Sequence, residues 1–510
     1  RLISEASARG FKHQKVFTKP ENEGIFVSFG FHTIARAPLA ILMENGNALE
    51  EYCAYLREHR AEGVIIMNAN PFTVGHRYLV QRAASEVSRL AVIAVREDLS
   101  LFPYAERLQM LRAGCEDIAD VLEGSAYQIS AATFPSYFLK DLNDAAQTQM
   151  RLDIDLFGTH IAPSLGASVR FVGSESSDPL TARYNALMKE LLPSYGVKVV
   201  VIPRLKAPNG RFVKASRVRD LLSQGRFGAA CALTPPSSFP YLKACLAERA
   251  LQMELDAPLK PGLVGPDSNG SHSDMDYALL RKSIAAIRPF FPGMATAASA
   301  EELRALGLEA EKAMMRSTGG VNTHRGAIFA LGIALKASSA LPSGKQPVEK
   351  KLLMHYACKK IAAGLSHKAQ QDAPLHTGAP SHGVEAVSRY GVRGARQMAE
   401  DGYKELFSFW LPYYSSIRKQ PYALQRMLVF LIAALDDTCI IHRAGFERSQ
   451  QLRDEAAELF GRIAHETDYT KTRHILENLC KRYASEGISP GGCADMLALT
   501  IFIDSLLTNN

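Results

Sequence analysis

The 510-residue sequence predicts a multi-domain protein, a Rossmann-like α/β domain followed by an all-helical one. Three observations carry this. Short apolar runs at Val64–Met67, Leu90–Val95, Val169–Val172 and Val197–Ile202 alternate with helical stretches, the pattern of a sheet covered by helices. After Leu242 the strand-like runs give way to Ala- and Leu-rich helical periods. Between the halves, Asp256-Ala-Pro-Leu-Lys-Pro-Gly262 carries two prolines and a glycine and reads as a linker or a first turn. The expected boundaries are 60–245 for the α/β domain, 246–260 for the linker and 261–510 for the helical domain, with a partial domain over 1–55.

Composition narrows the function. With 47% apolar and 22% charged residues, the chain is an ordinary soluble globular protein. A net charge of +7 suits anionic small molecules and an acidic protein partner and is no nucleic-acid signature. The longest late apolar stretch, Met496–Leu507, contains Asp504 and is too short for a membrane span, so no membrane association is expected. The eight cysteines show no metal-binding spacing and read as reduced thiols in a cytoplasmic protein. Cys493 reads as a small core residue.

The stretch Gly63-Val-Ile-Ile-Met-Asn-Ala-Asn-Pro-Phe-Thr-Val-Gly-His76 is the most informative. A strand leads into a turn, then into a helix with Leu79, Ala83, Val87 and Leu90 on one face. Thr73 to His76 thus fall at a helix N-terminus, where free N–H groups and the helix dipole favour an anion. Gly75 lets a phosphate approach the backbone. His76 is placed to donate to a phosphoryl oxygen as charge develops. Near the far end of the α/β half, Val213-Lys-Ala-Ser-Arg-Val-Arg219 opens another helix.

These two stretches resemble the paired signatures of the nucleotidylyltransferase superfamily, T/H-x-G-H and I-S-x-T/S-x-x-R. The segments NANPFTVGHRYLV, VREDLSLFPYAERLQML, ATFPSYFLKD, RFVGSESSDPLTARYN and KASRVRDLL, in that order, are similar to citrate lyase ligase from about Gly63 to about Leu242. The resemblance implies ATP-dependent activation of acetate as acetyl-adenylate. Acetylation of the prosthetic-group thiol on the citrate lyase acyl carrier subunit follows. It gives Thr73 and His76 to the triphosphate and the transition-state charge, and Ser216 and Arg219 to the outer phosphates. Lys214 stands where Ser is usual and is itself a plausible phosphate partner. Arg107 is either a phosphate ligand or a surface arginine on a helix. Glu175 either serves the nucleotide or caps a turn.

The helical half carries five polar clusters: Gly262–Asp276, Ser317–Gly326 preceded by Glu311, Arg393–Arg396, Leu435–Arg443 and Ser489–Asp495. Glycine-bearing turns of this kind present N–H groups to phosphate. Asp274, Asp276, Glu311 and Asp437 offer hard oxygen ligands for magnesium. His272, His324 and Arg325 offer charge-neutralising donors. The clusters resemble triphosphoribosyl-dephospho-CoA synthase over roughly Pro261 to Leu507. That resemblance implies joining of the ribose 2′-hydroxyl of dephospho-CoA to C1 of the ATP ribose, with release of adenine. Catalytic roles are expected for Asp274, Asp276 and His324, leaving open which carboxylate is base and which is ligand. Phosphate contacts are expected at Gly319, Gly320, Asn322, Thr323, Arg325, Arg396, Ser489, Gly491 and Gly492. Asp274, Asp276, Asn322, His324 and Asp437 should converge on one pocket. Met398 replaces an expected Glu, which would leave this half impaired if that Glu is essential.

The opening segment KVFTKPENEGIFVSFGFHTIARAP looks like the closing strands of an N-acetyltransferase-like fold, without its acetyl-CoA loop. The leading expectation is therefore a bifunctional enzyme acting on ATP, acetate and dephospho-CoA, with magnesium and without a tightly bound organic cofactor. Three alternatives compete. The first half is an adenylyltransferase of the pantetheine-phosphate type; one half is an inactive docking module for the acyl carrier; or the second half serves malonate decarboxylase.

Overall fold

The computed structural model describes residues 5–6, 8–97, 100–128, 142–175, 178–341, 347–371 and 382–508. The ATFPSYFLKD segment lies outside them. The chain forms two compact units, Arg1–Arg219 with Cys231–Ser238, and Asp220–Ala230 with Phe239–Asn510.

The first unit is built on β1 (Gln14–Thr18), β2 (His32–Ala37), β3 (Ala40–Asn45), β4 (Gly63–Met67), β5 (Leu90–Ala94), β6 (Asp120–Leu122), β7 (Val169–Gly173) and β8 (Lys198–Ile202). The last five make an all-parallel sheet in the order β6-β5-β4-β7-β8. Strand order reverses between β4 and β7, the crevice where open α/β sheets bind ligands. Each expected strand is present within one residue of its expected limits. All five residues of β5 are buried, as a sheet covered on both faces requires. The helix after β4 is shorter than its apolar pattern suggests. It spans Val74–Ala84, so Val87 lies in the following turn and Leu90 opens β5. Edge strand β6 has only three residues and no periodicity to reveal it.

The partial domain expected over 1–55 is not separate from the rest of this unit. Strands β1, β3 and β2 form an antiparallel sheet, and the Leu142–Leu156 helix packs on β2. One core runs from Leu42, Leu49 and Leu56 into Val64, Ile93 and Ile154. Phe11, Ile25, Val27 and Phe29 stay exposed.

At the carboxyl edge of the parallel sheet, Arg107 is fully buried. Its Nε donates to the Phe102 carbonyl at 3.0 Å, and Nη1 donates to those of Asn68 at 2.7 Å and Val95 at 2.9 Å. Nη2 donates to the Glu97 carbonyl. Asn68 and Val95 directly follow β4 and β5, so one guanidinium ties together the loops leaving two central strands.

The second unit is helical. At its centre lies the Gly491–Leu507 helix, with 13 of its 17 residues buried. The Phe239–Asp256, Arg325–Ala337 and Ala423–Ala434 helices pack on it. Asp504 is buried within it and bonds to Arg418 at 2.5 Å and Ser415 at 2.6 Å, so the late apolar stretch is a core helix with one compensated charge. The linker expected at 246–260 is corrected. Residues up to Asp256 belong to the Phe239–Asp256 helix, with Leu246, Ala247, Ala250, Leu251 and Leu255 buried. The chain beyond is held by a buried Lys260–Glu254 ion pair at 2.6 Å. Prolines 258 and 261 mark the helix exit and no flexible tether. Among the described residues, no helix is long and apolar enough to cross a membrane.

Replacing Arg107 by Met would leave several buried carbonyls without donors, at a cost of about 3 kcal/mol or more. Hydrogen exchange at Val64–Met67 and Leu90–Ala94 should accelerate by about 100-fold. Exchange in the Gly491–Leu507 helix should not change. Unaltered protection of β4 and β5 would remove Arg107 from its scaffold role.

Candidate active sites

A cleft of about 740 Å³ opens in the first unit, lined from β4 and β7 and from the segments after β4 and β8. Thr73 caps the Val74–Ala84 helix: its hydroxyl accepts from the His76 N–H at 3.2 Å. In return, the Thr73 N–H donates to His76 Nδ1 at 3.1 Å. With Nδ1 accepting, the neutral ring carries its proton on Nε2. Burial, helped by the positive charge of Arg204, lowers the His76 pKa to about 4. Thr73 is buried, lines the cleft and orients His76. The Val74 N–H is already bonded to the Leu233 carbonyl at 3.0 Å, which leaves less of the helix terminus open than the sequence suggests. A Cβ on Gly75 would meet Val213 at 3.3 Å, so this glycine admits the Val213–Ser216 segment.

Lys214 and Ser216 line the same cleft. Arg219 is half-buried, and its Nη1 donates to the Asn70 carbonyl at 2.6 Å, tying the second signature to the turn of the first. Arg107 is neither a phosphate ligand nor a surface residue; four carbonyls hold it in the scaffold. Glu175 is almost fully covered; it pairs with Arg204 at 2.5 Å and accepts from the Asp178 N–H at 3.1 Å. Both the turn and a cation therefore use it. Arg204 escaped the sequence reading; its only signal is a cation two residues beyond a strand. Arg170, Asp153 and Tyr184 also line the cleft and were missed inside apolar patterns.

In the second unit, the start of the Gly491–Leu507 helix gathers the polar clusters. His272 Nε2 lies 2.8 Å from Ser489 Oγ, and Arg443 Nη2 lies 3.2 Å from His272 Nδ1. Asp274 is 3.4 Å from the same Nδ1 and is exposed. Burial, then the Arg443 charge, lowers the His272 pKa, so Nδ1 accepts from Arg443 and Nε2 donates to Ser489. Asp437 Oδ1 accepts from the Cys439 and Ile440 N–H groups at 2.8 and 3.3 Å, and Oδ2 from the Cys493 N–H at 2.8 Å. Asp495 packs on Gly326 so closely that a Cβ there would lie 1.9 Å from its Oδ2. The Ala327 N–H bonds to Asp495. Burial pushes the Asp437 and Asp495 carboxyls up, Asp495 well above the usual range, with Asp437 and Glu254 adding to it. Asp495 was not singled out from the sequence.

The expected convergence is therefore partial. His272, Asp274, Arg443 and Ser489 meet, and Asp437 and Asp495 touch the same helix start. Asp437 has both oxygens on backbone N–H groups, a cap in place of the expected open metal ligand. Asp276 likewise caps the Tyr277–Ile287 helix, accepting from Leu279 N–H at 2.8 Å. With Asp274 it borders a recess of about 400 Å³. His324 is buried and contacts Ser283 Oγ at 2.7 Å, which in turn lies 2.7 Å from Thr323 Oγ1. Burial, with the Lys260 charge, lowers the His324 pKa to about 4.

Gly319 and Gly320, both at positive φ, end the Ala300–Ser317 helix. Asn322 accepts from the Arg325 N–H at 3.3 Å, and Arg325 pairs with Glu311 at 3.1 Å, so Glu311 is not an open ligand. A Cβ on Gly491 would meet Cys439 Sγ at 3.1 Å and one on Gly492 would meet Asp437 at 3.1 Å. These two glycines serve close packing where an open phosphate loop was expected. Arg396 is exposed. Met398 is half-buried, and Glu400 is bonded to Ser366, so Glu400 does not replace the expected Glu. Among the described residues, no group of three or more His, Cys, Asp or Glu could hold a metal ion. All eight cysteines are free thiols.

Residues 62–242 match the family model of the citrate lyase ligase C-terminal domain, and residues 242–510 match that of ATP:dephospho-CoA triphosphoribosyl transferase. A [citrate [pro-3S]-lyase] ligase of Klebsiella pneumoniae is 42% identical over 253 residues, 47% of this chain and 74% of the relative. The Escherichia coli protein of the same name is 38% identical over 257 residues, 48% of this chain and 73% of the relative. An Azotobacter vinelandii protein named probable 2-(5''-triphosphoribosyl)-3'-dephosphocoenzyme-A synthase is 35% identical over 288 residues, 54% of this chain and 94% of the relative. The chain belongs to both families, to citrate lyase ligase through its α/β part and to ATP:dephospho-CoA triphosphoribosyl transferase through its helical part.

Proposed function

We propose that this chain is a bifunctional enzyme that makes and activates the citrate lyase prosthetic group. The observation that carries the reading is the pairing, in one chain, of two families that serve the same carrier. This disfavours the pantetheine-phosphate, docking-module and malonate decarboxylase alternatives. Dependence on ATP and dephospho-CoA assigns the work to the cytoplasm. The N-terminal sheet is read as N-acetyltransferase-like.

In the first unit, an acetate oxygen attacks the α-phosphorus of ATP. The bond to the bridging oxygen of the β-phosphate breaks, and pyrophosphate leaves with the electron pair. The carrier thiol then attacks the acyl carbon, giving up its proton, and AMP leaves. His76, held by Thr73 with Nε2–H free, donates to phosphoryl oxygen as charge builds. Lys214, Ser216 and Arg219 hold the outer phosphates.

In the second unit, the 2′-hydroxyl oxygen of dephospho-CoA bonds to C1 of the ATP ribose. The hydroxyl proton leaves, and adenine departs with the C–N pair and is protonated, while the triphosphate stays on the ribose. Asp274, exposed beside His272, is the carboxylate best placed to hold a magnesium ion carried by the triphosphate. Asp276 and Asp437 are occupied as caps. Asp495, whose raised pKa keeps it protonated more readily, and His324 are the buried acid–base candidates.

His76→Ala should lower acetate-dependent pyrophosphate release by at least about 100-fold, the effect of removing one transition-state donor. Adenine release from ATP plus dephospho-CoA should persist. Joint loss of both activities in a folded variant would rule out two separate sites.

Arg219→Ala should raise the KM for ATP in the acetate reaction by about tenfold, in line with losing one charge-assisted hydrogen bond. An unchanged ATP dependence would take Arg219 out of the site.

His324 also predicts an acid response. Its folded pKa of about 4 lies below the usual value of 6.5, so the folded state resists the proton that the unfolded state accepts. Its contribution is intact above pH 6.5 and declines as pH falls towards 4, by up to about 3 kcal/mol. Denaturant titrations followed by Trp410, the sole tryptophan, should show this loss in the second unit between pH 7 and 5. His324→Asn should flatten the pH dependence, and an equally steep decline in that variant would contradict the assignment.

A further inference from the structure

The cleft of the first unit contains a cation with no part in the steps above. Arg170, on β7, is 4% exposed. Its Nη2 donates to the Tyr184 hydroxyl at 3.2 Å, and the guanidinium lies 4.3 Å over the Phe157 ring. Nε and Nη1 have no hydrogen-bond partner. Tyr184 in turn donates to Asp153, so this carboxylate is joined to Arg170 through a phenol. Arg170, Tyr184 and Asp153 all line the cleft that holds His76, together with the apolar Phe171 and Met188.

A buried guanidinium with unfilled donors is costly unless something completes it. Its planar fork matches a carboxylate, which accepts two parallel N–H bonds. The triphosphate already has Lys214, Ser216 and Arg219, whereas the acid to be activated has no assigned partner. We propose that Arg170 binds the carboxylate of the acyl substrate, gripping it while an oxygen lone pair stays free to attack the α-phosphorus. Both unfilled nitrogens are shielded from solvent in the free protein. Two parallel N–H bonds use Nη2 together with Nε or Nη1, and Nη2 is engaged by Tyr184, so the acid has to open the Arg170–Tyr184 contact, which favours a short aliphatic acid over a bulky one. This assignment rests on the ligase reading and names the residue that selects its acid.

The test uses the full chain and measures pyrophosphate release against acetate and ATP, with ATP affinity determined by calorimetry. Arg170→Gln should raise the KM for acetate by 30-fold or more and leave ATP affinity within twofold. Propionate and benzoate in place of acetate should show falling efficiency with size in the unaltered protein. An acetate KM unchanged in Arg170→Gln overturns the assignment. Should that variant also lose ATP binding, Arg170→Lys decides, since it keeps the charge and loses the fork. A raised acetate KM with ATP affinity intact then supports the proposal, and an unchanged KM refutes it. If the unaltered protein releases adenine from ATP and dephospho-CoA yet gives no acetate-dependent pyrophosphate, the ligase reading itself fails, a result distinct from failure of Arg170 alone.

Discussion

The first unit depends on one buried guanidinium. Arg107 gives its donors to the main-chain carbonyls of Phe102, Asn68, Val95 and Glu97. Carbonyls at the carboxyl edge of a parallel sheet need donors that the ladder no longer supplies. A single planar cation supplies them for the segments leaving β4 and β5 at once. The loop from Asn68 to Thr73 is thereby fixed before any ligand arrives. Arg219 bonds to Asn70 in that same loop, so the second phosphate signature is anchored on the first. Preorganisation of this kind is what electrostatic catalysis requires, because a loop that had to order itself would lose the advantage of its placed donors.

The helical unit solves the same problem with a helix terminus. The Gly491–Leu507 helix is buried along most of its length, so its first turn has little water to satisfy its N–H groups. Asp437 reaches across from another segment and caps two helix starts with one carboxylate. Ser489 and Asp495 extend from the same turn to His272 and to the start of the Arg325–Ala337 helix. Segments more than 200 positions apart meet there (489 minus 272), and Gly491, Gly492 and Gly326 permit the approach. Capping and site assembly are one arrangement here, which is why reading each aspartate as either a cap or a ligand divided what the fold combines.

That division also explains how far the sequence could be read. Hydrophobic periodicity placed four of the five parallel strands, because a run such as Leu90–Ala94 buries every residue. Glycine-bearing turns marked the segments that meet in the helical unit. Arg107, Arg170 and Asp495 were misread or missed for a common reason. Each lies in a helix, strand or turn whose neighbours set the visible pattern, and its partners are main-chain atoms or side chains distant in sequence. The 246–260 boundary failed because prolines 258 and 261 are conspicuous, whereas the all-round burial of Leu246 to Leu255 is a tertiary property. Residues 1–55 read as a separate piece because strand pairing is local, while their shared core with Val64 and Ile154 is not.

Three histidines carry a common electrostatic signature. His76 lies near Arg204, His272 against Arg443, and His324 near Lys260, and burial plus the neighbouring cation depresses each pKa. Burial alone would favour neutral imidazole; the adjacent positive charge makes that state robust across the physiological range. A neutral imidazole keeps its N–H donor without a net charge. At His76, whose Nδ1 accepts from Thr73, such a donor would add little to the binding of a ground-state anion and would gain strength as negative charge accumulates on the atom it faces. A permanent cation in the same place would grip the substrate and the departing pyrophosphate or triphosphate product alike. In the proposed acetate activation, fixed charge would bind the phosphate groups and the neutral His76 would respond to the charge that builds up in the transition state, so the two tasks fall on different side chains.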